Sequence, residues 1–117
     1  MNTIKIWHNA KCSKSRAALE LLEKNNCNAQ VITYLENTPS KEEIKEVLKM
    51  LKIKTRGLMR VKETIYTDLG LSNETLDEDE LIDAMISNPS LIERPVVIKD
   101  GKAAIGRPLE NIVELIS

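Results

Sequence analysis

Apolar and polar residues alternate from Thr3 to Trp7, with Ile4 and Ile6 on one side, which predicts a short first strand. From His8 to Arg16 no large apolar side chain occurs. The pattern then changes period: Ala18, Leu21 and Leu22 share a helical face, predicting a helix from about Ser13 to Asn25. Ala29 to Tyr34 is β-branched and apolar enough for a second strand. A strand, a helix and a strand in this order form a parallel, right-handed βαβ unit. The polar loop His8–Arg16 then lies at the carboxyl end of the first strand, where open α/β sheets place ligands.

Pro39 interrupts this pattern, and Ser40-Lys41-Glu42-Glu43 reads as a capping box ahead of Ile44, Val47, Leu48 and Leu51. A shorter helical stretch is expected from about Arg56 to Val61. A further helix follows Asp77-Glu78-Asp79-Glu80, with Leu81, Ile82, Met85 and Ile86 inward; the acidic run reads as its solvated N-terminus. After Asn88-Pro89 and Arg94-Pro95 comes Val96-Val97-Ile98, a third strand. The Asp100-Gly101 pair is a hairpin signal leading to an antiparallel fourth strand, Ala103–Ile105. Gly106 to Pro108 opens a last helix with Leu109, Ile112, Val113 and Ile116 on its inner face. This order is that of an α/β, thioredoxin-like fold: a four-stranded mixed sheet with a helical block, about residues 40–91, inserted between strands 2 and 3. Pro95, directly before the third strand, is expected to be cis.

Length and composition narrow the possibilities. The 117 residues suit a single domain, 1–117, with a core that needs no disulfide or metal. Phe is absent and Trp7, Tyr34 and Tyr66 are the only aromatics, so the core is aliphatic and a base-stacking platform is not expected. Seventeen basic against eighteen acidic side chains give a net charge of −1, which argues against a dedicated nucleic-acid binder. No signal peptide is expected from the start of the sequence, and no apolar run approaches membrane-spanning length. A cytoplasmic protein acting as a monomer, away from nucleic acid and membrane, is expected.

Chemistry concentrates in the polar loop. Its thiol, Cys12, stands at a predicted helix N-terminus, where unpaired N–H groups and the helix macrodipole favour a thiolate. His8, Lys11, Lys14 and Arg16 add cationic or polarisable neighbours. A solitary cysteine ordinarily reads as a small buried hydrophobe, but the loop offers no apolar surroundings for one. Its thiol pKa is expected well below the usual value of about 8.5. His8 has two readings: an imidazolium lowering that pKa further, or a loop hydrogen bond. Cys12 has no second cysteine or histidine at a zinc-ligand spacing. Cys27, beyond a helix end, reads as a structural or exposed thiol, and Arg16 and Arg56 as structural ion-pair or surface residues.

Several short motifs, in order and spacing, carry a resemblance: His8-Asn9 ahead of Cys12-Ser13-Lys14-Ser15-Arg16, Tyr34-Leu35-Glu36, Gly57-Leu58-Met59-Arg60, Leu81-Ile82-Asp83, Ile92-Glu93-Arg94-Pro95 and Gly106-Arg107-Pro108. Over essentially its whole length the chain resembles the glutaredoxin-dependent arsenate reductase family. The resemblance implies that Cys12 is the nucleophile and that Arg60, Arg94 and Arg107 bind the oxyanion. It also puts Ser15 at the position of a hydroxyl that hydrogen-bonds the thiolate, although Ser15 reads equally as an ordinary serine of a first helical turn. Guanidinium forks suit a tetrahedral oxyanion better than lysine does. Arg94 and Arg107 precede prolines, which restrict their backbones, and the antiparallel third and fourth strands make them neighbours. Arg60 depends on how the inserted block folds back.

The chemistry implied by the resemblance is arsenic detoxification: Cys12 forms an arseno-thiol adduct, glutathione reduces the arsenic, and glutaredoxin removes the resulting mixed disulfide. No bound cofactor is implied; glutathione is a co-substrate. The Cys12-x-x-Ser15 spacing agrees, since a dithiol mechanism wants a cysteine at position 15. Ala10 stands where the family often has proline, and the end of the chain soon after its last helix resembles the short, housekeeping members. Two other readings remain: a thioredoxin-fold regulator that binds RNA polymerase, which would typically carry a Cys-x-x-Cys pair, or a glutathione-linked thiol protein acting on another oxyanion.

Overall fold

A computed structural model describes residues 4–117; Thr3, the expected start of the first strand, lies outside them. The chain runs β1 (Ile4–Trp7), α1 (Ser13–Lys24), β2 (Ala29–Ile32), α2 (Lys41–Leu51), a 3-10 turn (Thr55–Leu58), α3 (Thr64–Asp68), α4 (Glu78–Ser87), a 3-10 turn (Pro89–Leu91), β3 (Val96–Lys99), β4 (Lys102–Ile105) and α5 (Glu110–Ile116). It divides into two compact units: one runs to Asn37 and resumes at Arg94, and the other is Thr38–Glu93.

The first unit holds the whole sheet, in the order β2-β1-β3-β4. β1 pairs with β2 in parallel and with β3 antiparallel, and β3 pairs with β4 antiparallel. Side chains alternate across this sheet, so Ile4 and Ile6 of β1 share a face with Val97 of β3, and there they meet Ala18 and Leu22 of α1 and Ile112 of α5. Trp7 and its partner Val96 occupy the opposite face and are also buried. The β3–β4 hairpin turns through Asp100 (φ 49°) and Gly101 (φ 77°); positive φ at both central residues matches the turn to the twist of the strands. The Arg94-Pro95 bond is cis, as expected, and so is Arg107-Pro108.

The second unit is helical. Ser40 and Glu43 form the reciprocal capping box of α2, and Asp77 and Glu80 form another at α4, so the acidic run is a helix start. Leu81, Ile82 and Met85 of α4 are buried, and Ile86 partly so. Arg56 has a structural role: its Nε donates to Tyr66 Oη (3.2 Å) and its Nη2 to the carbonyls of Leu71 (3.0 Å) and Asn73 (2.7 Å).

Three local expectations need correction, and one short helix carried no sequence signal. β2 ends at Ile32 because the Thr33 carbonyl turns to accept from the N–H groups of Glu36 and Asn37. Helical structure ends at Leu58, short of Val61, because Met59 bridges Ile92 in an antiparallel pair. α3 is a single turn, too short to leave a periodic signal. Val113 is 43% exposed: the inner face of α5 centres on Ile112, with Leu109, Leu115 and Ile116 at i−3, i+3 and i+4, and Val113 is turned about 100° away.

At Gly106 the backbone passes too close to its neighbours for any side chain. A Cβ there would lie 2.6 Å from Ile112 Cδ1 and 2.8 Å from the Pro95 ring, while its N–H donates to the Pro95 carbonyl at 2.9 Å. Gly106→Ala is therefore expected to destabilise the protein by about 1–3 kcal/mol, read from urea denaturation; a change within 0.5 kcal/mol of zero, about the noise of a neutral surface substitution, would refute the close packing.

Candidate active site: a thiol at the start of the first helix

The loop between β1 and α1 is fixed mainly by its own hydrogen bonds. The His8 N–H donates to the Ile32 carbonyl (2.8 Å), carrying the β1–β2 pairing one residue past β1. Asn9 then organises a turn: its carbonyl accepts from the Cys12 N–H (3.0 Å) and its Oδ1 from the Lys11 N–H (3.0 Å), while its own N–H donates to Ser15 Oγ (3.0 Å). An asparagine side chain that bonds two residues on is a recurrent turn former. Cys12 comes out of the turn extended, with φ −96° and ψ 121°, at the N-cap of α1.

Cys12 is partly buried, and burial alone would raise its pKa. The backbone N–H groups of Ser15 and Lys14, followed by the charge and hydrogen bond of Arg94, outweigh that effect and bring the thiol below its ordinary value. Cys12 makes no conventional side-chain cap hydrogen bond; the N–H groups that favour its thiolate belong to the first turn of α1, where the helix dipole adds to their effect. Arg107 approaches from the end of β4, at the same end of the sheet as the Cys12 loop. Its Nε donates to the Arg94 carbonyl at 2.9 Å and its Nη2 reaches Cys12 Sγ at 3.7 Å.

His8 and Ser15 act indirectly. Ser15 is fully buried and its Oγ lies 2.6 Å from His8 Nδ1, while it also accepts from the Asn9 N–H. Its hydroxyl thus braces the loop, and towards the sulfur Ser15 presents its backbone N–H. Burial pushes the His8 pKa below 6.5; a Ser15 hydrogen bond opposes this and the Arg16 charge adds to it. The lowered pKa favours the neutral ring, and the 2.6 Å contact with Ser15 Oγ is the loop hydrogen bond.

The two units divide the expected arginines. Arg94 and Arg107 belong to the unit of Cys12, and both act on its sulfur. Arg60 belongs to the helical unit, where it forms an ion pair with Glu63 and lies 4.0 Å from Glu93. Cys27 packs partly against the core, and its Sγ lies 3.6 Å from the Asn25 carbonyl. The twelve residues of α1 separate it from Cys12 by about 18 Å at 1.5 Å per residue, far beyond disulfide reach. Two contributors have roles that the sequence did not reveal: Asn9 forms the turn, and Arg16, expected as a cationic neighbour or structural residue, donates from its Nη1 to the Ala10 carbonyl at 2.9 Å. The known turn preference of asparagine could have flagged the first; a long side chain folding back has no local signal. The arrangement is a thiol of lowered pKa beside two guanidinium groups, a geometry suited to attack on the central atom of a tetrahedral anion.

Comparison with known proteins places nearly the whole chain among relatives of one family. The profile of the ArsC family matches residues 7–115. A protein of Neisseria meningitidis named arsenate reductase is 51% identical over 113 residues, covering 96% of this chain and 97% of that one. An Escherichia coli arsenate reductase is 34% identical over 116 residues, 99% of this chain and 82% of its own. The structure of an arsenate reductase from Vibrio cholerae superposes with a TM-score of 0.93 at 46% identity, covering 96% of each chain.

Alkylation of Cys12 against pH is expected to give a midpoint below the ordinary thiol range, and Arg94→Ala to raise it; a midpoint at or above about 8.5 in the parent would remove the case for an activated thiol. His8 is expected to titrate below 6.5 when followed by NMR. Between its folded pKa and that value the unfolded chain binds more protons at His8, so stability should fall as pH drops through the window. A His8 that titrates above 6.5, or stability that rises there on His8 protonation, would contradict the neutral ring.

Proposed function

The chain belongs to the ArsC family, and from that premise we propose that it is an arsenate reductase in which Cys12 is the nucleophile and glutathione and glutaredoxin supply the electrons. The observation that carries this reading is the placement of one activated thiol against two guanidinium groups, with Arg107 Nη2 at 3.7 Å from its sulfur.

In the proposed cycle the Cys12 thiolate attacks arsenic, one arsenate oxygen leaves as water after protonation, and a sulfur–arsenic bond forms. Arg94 and Arg107 balance the charge on the remaining oxygens as it is redistributed. The sulfur of glutathione then attacks Cys12 sulfur. The sulfur–arsenic bond breaks with its electron pair going to arsenic, so arsenate becomes arsenite and the two sulfurs become a mixed disulfide. A glutaredoxin thiol takes the glutathione sulfur and Cys12 returns as thiolate. Over a full turnover the two electrons that reach arsenic come from glutathione and the glutaredoxin thiol, while Cys12 is regenerated and supplies the one protein sulfur the chemistry needs.

His8 and Ser15 act in this scheme by holding the loop. Arg60 enters the proposed site through the family resemblance, as a third guanidinium for the oxyanion. The proposed setting is the cytoplasm, where glutathione keeps thiols reduced; among the described residues no helix is long and apolar enough to cross a membrane.

The test is a coupled assay with purified protein, glutathione, glutaredoxin, an NADPH-dependent glutathione reductase and NADPH, run with arsenate, phosphate and sulfate in parallel. NADPH oxidation dependent on arsenate, and lost in Cys12→Ser, is expected; no turnover above that control would sink the proposal. Arg94→Lys and Arg107→Lys keep the charge but lose the bidentate fork, and are expected to lower kcat/KM by ~10–100-fold. Parental turnover in both lysine variants would place the oxyanion elsewhere.

A further inference from the structure

We propose that Arg16 is a positioning residue for the Cys12 thiolate: by clamping the Ala10 carbonyl it holds the Asn9–Cys12 turn in the arrangement that keeps the sulfur at the helix N-terminus. The inference deepens the role proposed for Cys12 and rests on that thiol being the reacting group.

The argument comes from how each residue of the loop is tied down. His8 is anchored to β2 through its N–H and to Ser15 through its ring. Asn9 uses its N–H, carbonyl and side chain within the loop. Lys11 and Cys12 are held by their N–H groups on Asn9, and the Cys12 carbonyl accepts from the Arg16 N–H at 3.0 Å. Ala10 is held differently. Among the described hydrogen bonds its N–H makes none, and its carbonyl is taken by Arg16 Nη1 at 2.9 Å. Ala10 is also the second residue of the Asn9–Cys12 turn, where a fixed φ is most useful and where alanine supplies none. A bond from a charged donor on α1 to that carbonyl joins the loop to the helix whose N–H groups Cys12 must face. The backbone N–H and the side chain of Arg16 thus brace two carbonyls of the turn, those of Cys12 and Ala10.

The same geometry says what could replace the clamp. Ala10 has a negative φ and an N–H that the described bonds do not use, so proline fits this turn position and would restrict it through its ring. Proline restores order without restoring charge. That separates a positioning role from an electrostatic one.

The experiment measures Cys12 alkylation by neutral iodoacetamide against pH in a Cys27→Ala background, for the parent, Arg16→Ala, Arg16→Ala with Ala10→Pro, and Arg16→Lys, with thermal unfolding alongside. Arg16→Ala is expected to react about fivefold more slowly at neutral pH, with a raised midpoint, and Ala10→Pro to recover most of that loss. An unchanged profile in Arg16→Ala would overturn the proposal. So would full recovery by Arg16→Lys with none by Ala10→Pro, which would make the effect one of charge. A parent midpoint in the ordinary thiol range would instead overturn the role of Cys12, and this inference with it. Unfolding temperatures that fall without any change in the Cys12 profile would show Arg16 to be structural only, and overturn the inference as well.

Discussion

The structure around this site depends on one electrostatic constraint: a sulfur drawn partly out of water has to find its compensation in the protein. Burial by itself opposes the thiolate. The first turn of α1 answers with N–H groups that no helical carbonyl can use, and the loop before it exists to bring Cys12 to that spot. This explains why the loop excludes large apolar side chains and why so many of its polar groups bond within it. A thiolate displaced by an ångström or two would keep the burial and lose the dipoles.

The sheet supplies the rest of the compensation. β3 and β4 are antiparallel with Val96 opposite Ile105, so the segment entering β3 and the segment leaving β4 lie at the same end of the hairpin. That end is also where β1 finishes, because Trp7 pairs with Val96. Cys12, Arg94 and Arg107 come from distant parts of the sequence but follow the same end of three adjacent strands. The tie between them is physical: Arg107 is oriented by the Arg94 carbonyl as well as by the sulfur.

Much of this was legible because it follows from pattern. The alternation at Ile4 and Ile6, the helical spacing of Ala18 and Leu22, the capping box at Ser40 and Glu43, and the Asp100-Gly101 turn each correspond to a single local rule, and together they fix the mixed sheet and its inserted helical block. Cys12 was legible because its polar neighbours lie close in sequence. Reading failed where one residue's conformation depends on a distant partner. Met59 leaves the helical pattern because Ile92 pairs with it, and Tyr34 is buried beyond the end of its strand. His8 follows the same logic: a histidine among basic residues suggests a cation, whereas its burial, a product of the fold, lowers its pKa and favours the neutral ring.

The position three residues after Cys12 shows how the fold constrains the chemistry proposed for it. A second thiol there would stand within reach of the first and allow an internal disulfide. Serine occupies it, fully buried, with its oxygen between the His8 ring and the Asn9 N–H. An oxygen is suited to that bracing role, because a thiol is a much weaker hydrogen-bond donor and acceptor. Cys27 lies at the far end of α1, so closing a bond to it would require unfolding the helix that activates Cys12. The geometry that makes the thiol reactive therefore also leaves it alone, and in the proposed cycle the second sulfur has to arrive on another molecule.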